Sequence, residues 1–369
     1  MHWLFSLLMA IAVIAIGISR KLNLGRVMLS GGITLLLAGG KAALLPEVAL
    51  ATVRERSSQV LLISIILLEL LGYLLKETGS LQRIINGLGR VVSDRRLLSA
   101  ILPALISILA MPGGAVFSAP LVKQAGEEAG LDAVRQAAVN LWFRHVIYFA
   151  YPLYPPLILA AGLSGVNIGI ISGYNLPLTL FALVTAYLLL FRGIGRQNLG
   201  ANRNAAAIEH CNRGGKGLFK LILSGISFKL ALTVLGVMFF KQALQYSETT
   251  ASLSEAVLHA GVPLPLLMLL FPAFIGFLCG DNTTAVAISF PLFLPLLDPG
   301  LSIYPVQIAF LYFSATWGHI FTPVHPCFAV TNAYFKVTAG RVLRPLLIPA
   351  GAVLAAALLQ FYLAQLIIL

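Results

Sequence analysis

The sequence predicts an all-α, polytopic membrane protein with two inverted-topology repeats, each containing a re-entrant helical hairpin and a proline-broken helix. Three observations support this fold class. First, the 369 residues are 59% hydrophobic and only 10% charged, whereas soluble domains carry about 25% charged residues. Second, many apolar runs are long enough to cross a bilayer. Third, segments of the N-terminal half match segments of the C-terminal half.

The order of the apolar and polar segments divides the chain into four parts. These are scaffold helices in residues 1–50, a first repeat in residues 51–192, a cytoplasmic linker in residues 193–217 and a second repeat in residues 218–369. Unbroken spans are expected near residues 3–19, 27–46, 58–76, 167–191, 218–242 and 345–367.

The repeat is clearest in the two expected broken helices, in residues 133–165 and 303–335. Within them, QAAVNLWFRHVIYFAYPLYP aligns without a gap with QIAFLYFSATWGHIFTPVHP, and Pro152 falls on Pro323. Proline removes a backbone donor and interrupts a helix. Paired, interrupted hydrophobic segments in corresponding halves indicate the substrate site of a secondary transporter.

Two further apolar stretches, residues 98–122 and 263–297, are interrupted in the middle. The first is broken by MPGG and the second by GDNTT. Each arm is too short to cross about 30 Å of hydrocarbon alone. Irregular backbone at membrane depth is tolerated only where protein or a water-filled cavity surrounds it. We therefore expect two re-entrant hairpins whose tips meet near the middle of the membrane.

Basic residues indicate the orientation. They fall in four groups, within residues 20–26, 76–96, 192–220 and 336–344. If the hairpins do not cross, all four groups lie on one face, which the positive-inside rule assigns to the cytoplasm. Both termini then lie outside, and the hairpins enter from opposite sides. The net charge of +12 follows from these loops, so we expect no nucleic-acid partner.

Asp281 is the sharpest functional candidate, because an ionisable group at membrane depth is costly. It lies at the second hairpin tip with Gly280, Asn282, Thr283 and Thr284. Carboxylate, amide, hydroxyl and free carbonyl oxygens suit a hard cation such as Na⁺, and the carboxylate could instead hold a proton. The alternative is a helix N-cap without any ligand.

The first tip, Pro112, Gly113 and Gly114, is a candidate for substrate binding together with Ser118. Glycines let a backbone approach a ligand, and N–H groups at the start of a half-helix favour an anion. A tight turn with close backbone packing is the alternative.

Arg144 and His145 lie inside the first broken helix. The arginine could hold a carboxylate or phosphate bidentately. It could also form a structural ion pair with Asp281 or Glu69, or extend to the interface.

His319 and His325 lie in the second broken helix, where they align with Tyr148 and Tyr154. Histidine could relay protons or donate to an anion, and a buried, satisfied histidine is the alternative. Supporting polar candidates, which could equally join helices, are Asn140, Thr316 and Thr322, with Ser314 and Asn332.

We expect neither an enzyme nor a metal site. The chain has no catalytic signature of the H-E-x-x-H or G-x-S-x-G type. The spacing of His319 and His325 does not place both on one helical face, and three cysteines form no metal-binding pattern. No cofactor is expected apart from Na⁺ as a coupling ion.

The motifs MPGGAVFSAP, GDNTTAVAISFP, YPLYPP and TPVHP resemble those of the ion transporter superfamily, which includes gluconate, citrate and dicarboxylate carriers. More closely, residues 50–369 resemble an uncharacterised prokaryotic family within it. The resemblance implies an elevator-like carrier of anions, coupled to Na⁺ or H⁺, that forms a homodimer in the inner membrane. The first tip departs from the Ser-Asn-Thr-like motif of many carriers, which argues against two-sided binding of a dicarboxylate.

The function expected is a secondary active transporter whose partners are a small organic or inorganic anion and the lipid bilayer. Two alternatives stay open at this point. One is a flippase or exporter of a lipid-like or lipid-linked metabolite, with a lateral opening to the acyl layer. The other is an ion channel.

Overall fold

The computed structural model describes residues 2–80, 83, 87, 92–108, 114–195, 228–249, 252, 261–322 and 325–368. Within these residues the regular structure is helical, and no β-strand occurs. Five expectations lie wholly or partly outside the described residues: the tip residues Pro112 and Gly113, the linker beyond residue 195, the start of the span expected at residues 218–242, Pro323, and the side chain of Glu69.

Nine helices occupy the described part of the first half, and seven occupy that of the second. The first nine are α1 (His2–Ser19), α2 (Leu24–Ala38), α3 (Leu45–Arg54), α4 (Arg56–Glu77), α5 (Arg95–Ile108), α6 (Gly114–Glu128), α7 (Ala133–His145), α8 (Pro155–Ser164) and α9 (Ile168–Leu190). The other seven are α10 (Phe228–Tyr246), α11 (Leu264–Cys279), α12 (Asn282–Phe293), α13 (Tyr304–Ile320), α14 (Pro326–Phe335), α15 (Ala339–Leu343) and α16 (Leu347–Ile368).

Each half contains one helix that stops and restarts at its proline motif. The first ends at His145, continues as a short 3₁₀ turn and restarts at Pro155, and the second ends at Ile320 and restarts at Pro326. Proline is disfavoured in a helix interior but suits the first helical turn, where its missing N–H has no intrahelical partner. The ends of α7 and α13 are buried in the protein interior, whereas the first residues of α8 and α14 are partly or fully exposed.

The helix pair α11–α12 is joined by a tight turn. Gly280 ends α11 with a left-handed backbone (φ 65°), a conformation that glycine adopts without the steric penalty of a Cβ. Asp281 then caps α12. In the other half, α5 packs against α6.

The two halves exchange contacts in a reciprocal way. Helix α6, the second arm of the first pair, packs against α14, the second segment of the other half's broken helix. Helix α12, the second arm of the second pair, packs against α8, the second segment of the first broken helix. The interior of the molecule is thus made jointly by both halves.

Burial separates an inner group of helices from an outer one. Nearly every residue of α12 and α13 is buried, whereas outer helices expose large apolar side chains such as Leu188 (65% exposed) and Leu366 (80%). Water-soluble monomers rarely expose extensive apolar surface. Two segments, Ile168–Leu190 and Ala339–Ile368, are long and apolar enough to cross a membrane by length and composition. The structure has the character of a helical membrane protein.

Helix α2 and helix α10 cross closely through glycines. A Cβ on Gly236 would overlap the backbone of Gly25, and a Cβ on Gly25 would overlap the carbonyl of Leu232. Small residues permit such close approach of backbones in helix pairs of membrane proteins. The crossing joins an N-terminal helix to the second half of the chain.

We expect Gly236→Ala to destabilise the protein by about 1–3 kcal/mol, the usual cost of overpacking, because the obstructing atoms are backbone. The matched control is Gly351→Ala in α16, where a Cβ meets nothing within 4 Å. Thermal unfolding of both variants in detergent provides the measurement. An unchanged melting temperature for Gly236→Ala would contradict the close crossing.

Candidate functional site

The helix breaks bring buried polar side chains into the interior. Arg144 and His145 are the last residues of α7, and His319 is near the end of α13. Each of these three side chains is at most 2% exposed. Charged and polar groups so deep in an apolar protein require partners or a ligand.

Arg144 packs its guanidinium onto the backbone of Gly114, the first residue of α6. A Cβ on Gly114 would overlap Nη1, Nη2 and Cζ, so this position must be glycine for the arginine to lie there. Within the described part of the chain, Nε and Nη1 of Arg144 are buried and have no hydrogen-bond partner. The guanidinium therefore lies at the start of α6, and two of its nitrogens are available to bind an anion.

Arg144 neither extends to an interface nor, among the described residues, pairs with Asp281. The side chain is 2% exposed, so it does not extend to an aqueous interface. Among the described residues, its guanidinium forms no ion pair with Asp281.

Two histidines connect the end of α7 to the turn between α11 and α12. The Nδ1 atom of His145 lies 2.6 Å from the carbonyl oxygen of Leu141, and Nδ1 of His325 lies 3.0 Å from that of Gly280. The two Nε2 atoms lie 3.0 Å apart. Since His145 follows Arg144 in the chain, consecutive residues of α7 reach Gly114 on one side and, through His325, Gly280 on the other.

Asp281 is the N-cap of α12. Its Oδ2 accepts hydrogen bonds from the backbone N–H of Thr284 at 2.8 Å and from the Thr284 hydroxyl at 2.7 Å. The structure therefore shows the capping role that the sequence left open as an alternative. Asp281 is exposed on the molecular surface, and Oδ1 accepts no hydrogen bond from the described residues. Capping and binding of a cation by the second oxygen are compatible.

Asn282, next to Asp281, is 1% exposed and ties α12 to α13. Its Nδ2 donates to the Thr316 hydroxyl at 3.0 Å, and that hydroxyl donates to the Tyr312 carbonyl at 3.0 Å. The amide oxygen of Asn282 is buried and has no partner among the described residues. This oxygen is a free acceptor beside the turn between α11 and α12.

Asn140 forms a parallel contact between α7 and α14. Its Nδ2 donates to the Thr331 hydroxyl at 2.9 Å, while its Oδ1 is buried and unpartnered among the described residues. Asn140 and Asn282 thus both join helices and both leave one acceptor free.

Of the other candidates, Tyr148 lies beside the histidines, whereas Ser118 bonds only within its own helix. The ring of Tyr148 stacks on that of Tyr154, with centroids 3.9 Å apart, and the Tyr312 hydroxyl donates to the Tyr148 carbonyl at 2.7 Å. These side chains lie beside the histidines, because His145 and Tyr148 form an edge contact at 5.6 Å. In contrast, Ser118 is buried and bonds back to the carbonyl of its own helix at Ala115.

Thr283 is half-buried, and Thr322 is fully buried at the end of the α13 segment. Three residues that contact the candidate site residues were not predicted from the sequence as site residues. They are Tyr312, Thr331 and Cys327. Tyr312 and Thr331 carried no signal of their own, since each is an ordinary residue of an apolar helix until its partner is known.

A protein-family model described as "Protein of unknown function (DUF401)" matches residues 3–210 and 205–367. No curated protein matches the chain significantly. Among solved structures, the crystal structure of the YdaH transporter of Alcanivorax borkumensis is similar, with a TM-score of 0.61 and 16% sequence identity. The similarity covers 81% of this chain and 84% of that one. This likeness shows that the two chains share a fold.

We expect Asp281→Ala to destabilise the protein by about 1 kcal/mol, the typical cost of losing an N-cap, and Asp281→Asn to have little effect, because asparagine caps as well as aspartate. Thermal unfolding of the two variants beside the unmodified protein makes the comparison. Equal destabilisation by both substitutions would show that the negative charge, and not the cap, stabilises the turn.

Proposed function

We propose, from the premise that this chain belongs to the DUF401 family of proteins of unknown function, that it is a secondary active transporter for a small anion. The observation that carries this proposal is the buried guanidinium of Arg144, whose Nε and Nη1 lack partners among the described residues. A cation in this environment is costly unless an anion pairs with it. A transported anion supplies that partner.

The fold supports transport over other roles. It is shared with the YdaH transporter, and the reciprocal packing of α6 on α14 and of α12 on α8 is the exchange that a pseudo-two-fold axis in the membrane plane would produce. On this proposal the pairs α5–α6 and α11–α12 are re-entrant hairpins of two inverted repeats, in the manner of many secondary transporters.

Several groups around Arg144 suit an anionic substrate. Gly114 begins α6, so an anion beside it would meet the positive end of the helix dipole. His319 has a buried Nδ1 without a partner among the described residues. A carboxylate or phosphate would accept from the guanidinium fork and from this histidine together.

The second turn is the proposed site of the coupling ion. The free oxygens at Asp281 and Asn282, together with backbone carbonyls at the end of α11, form a set of oxygen ligands suited to Na⁺. A proton on Asp281 is the other form of coupling. The cation and the anion would then lie at the starts of α12 and α6, connected through His325 and His145.

The proposed movement is elevator-like. The helices α5–α8 and α11–α14, which contain the site, would move against a frame that includes α1, α2 and α10, in a homodimer in the prokaryotic inner membrane with both termini outside. The close α2–α10 crossing supports a rigid frame, since backbones in contact cannot slide without separating.

A flippase for a lipid-linked metabolite is the second candidate. It is favoured by an open apolar groove between α4 and α8, whose lining includes Leu61, Leu67, Pro152 and Ile158. An acyl chain could lie in this groove while a charged headgroup reached the helix break. Such a substrate would still require the cation at Arg144.

To find the substrate class, purified protein would be heated with phosphate, sulfate, succinate, citrate or gluconate, with and without Na⁺. A bound ligand at 100 times its dissociation constant stabilises the native state by about 2.7 kcal/mol. We expect at least one of these anions to raise the melting temperature and Arg144→Gln to abolish that shift. Arg135→Gln, at the exposed start of the same helix, is the matched control. A full shift in Arg144→Gln would remove this arginine from the site.

The role of Asp281 in coupling is tested by Asp281→Asn in proteoliposomes. This variant retains a capping group but has lost the charge, so we expect uptake of the anion driven by a Na⁺ or proton gradient to fall to the level of empty liposomes. Anion binding in the thermal assay should persist. Gradient-driven uptake at the unmodified rate would exclude the carboxylate as the ligand of the coupling ion.

A further inference from the structure

Two imidazoles and one thiol form a compact cluster where the breaks of the two halves meet. His145 ends α7, while His325 and Cys327 lie at the start of α14. One ligand atom from each of these residues lies within 4.8 Å of the others. Cys327 is a free cysteine. We propose that His145, His325 and Cys327 bind a transition-metal ion that favours nitrogen and sulfur ligands, such as Zn²⁺.

The hydrogen bonds of the two rings fix which nitrogen each presents. Carbonyl oxygens accept from both Nδ1 atoms, that of Leu141 from His145 and that of Gly280 from His325. A neutral imidazole carries a single N–H, so each ring has its proton on Nδ1 and a lone pair on Nε2. This is the usual arrangement of metal-binding histidines, in which a backbone carbonyl orients the ring and sets its tautomer.

The two lone pairs face each other. The Nε2 atoms of His145 and His325 lie 3.0 Å apart, and neither has a hydrogen to donate to the other while both Nδ1–H groups remain bonded to carbonyls. Two acceptors at this distance repel unless a positive ion binds them. Tetrahedral Zn²⁺, with Zn–N bonds of about 2.0–2.1 Å, places two nitrogens about 3.3–3.4 Å apart, so a small movement of either ring suffices.

Cys327 supplies the soft ligand that distinguishes this site from a Na⁺ site. Thiolate and imidazole together select zinc and related transition metals over hard cations, which prefer oxygen. The ring of His319 lies beside these residues, 4.3 Å from that of His325, centroid to centroid. The site itself groups three ligand residues.

This cluster differs from the sequence-based expectation that the chain has no metal site. That expectation considered His319, His325 and Asp281, which all lie in the second half of the chain. The structure instead groups His325 with a histidine of the other half and with a cysteine two residues along the chain. A bound metal would join the two helix breaks. It can be measured on resting protein, so its failure leaves the transport proposal standing.

Co²⁺ is a spectroscopic probe for such a site. The full-length protein, purified with its affinity tag removed and stripped with chelator, would be titrated with Co²⁺ under reducing conditions. We expect one Co²⁺ per chain, the visible bands of tetrahedral cobalt and a thiolate-to-cobalt charge-transfer band, with displacement by Zn²⁺. Cys327→Ser should abolish the charge-transfer band, and His145→Gln or His325→Gln should weaken Co²⁺ binding by more than about tenfold.

Cys279→Ser is the matched control, since Cys279 is the other free cysteine among the described residues and lies outside the cluster. It should retain both the band and the affinity. Protection of Cys327 in the unmodified chain provides a readout that does not depend on folding of a variant. We expect Zn²⁺ to slow maleimide labelling of Cys327, located by peptide mass spectrometry, and to leave labelling of Cys279 unchanged.

The proposal would be overturned by any of three results. They are the absence of a charge-transfer band in the unmodified protein, persistence of that band in Cys327→Ser, and labelling of Cys327 that Zn²⁺ does not slow.

Discussion

The buried guanidinium of Arg144 is the interaction on which the proposed site depends. It lies on Gly114, where any side chain would displace it, and two of its nitrogens have no partner in the part of the chain that the structure describes. A cation inside an apolar protein costs several kcal/mol unless an anion or oriented dipoles compensate it. Because packing alone does not explain a buried arginine at this position, its cost indicates a binding role.

The same segment shows how two halves of one chain can form one site. Arg144 contacts the start of α6, and the next residue, His145, meets His325, which bonds to the turn between α11 and α12. Consecutive residues of an α-helix point about 100° apart, so these two side chains reach different neighbours. A ligand at either turn would therefore act on a segment shared with the other, which provides a physical route for coupling.

The helix breaks, the turn between α11 and α12 and the apolar exterior could be predicted, because each depends on residues that are close together in the sequence. The breaks near Pro155 and Pro326 follow from the covalent structure of proline, and the turn at Gly280–Asp281 follows from a glycine that ends one helix and an aspartate that caps the next. The apolar exterior follows from composition. Arg144, His145 and His325 were identified because polar groups in apolar segments are rare. The sequence did not indicate which of them meet, since His145 and His325 lie in different halves of the chain.

The sequence by itself determined a helical membrane protein with paired interruptions and a short set of polar residues inside it, because those properties depend on hydrophobic runs, prolines and glycines read locally. Only the tertiary structure decided that Arg144 rests on Gly114 and that Cys327 stands with two histidines. Each of these relations joins residues distant in the chain. Such contacts are set by how helices cross, and a linear pattern does not encode the crossing.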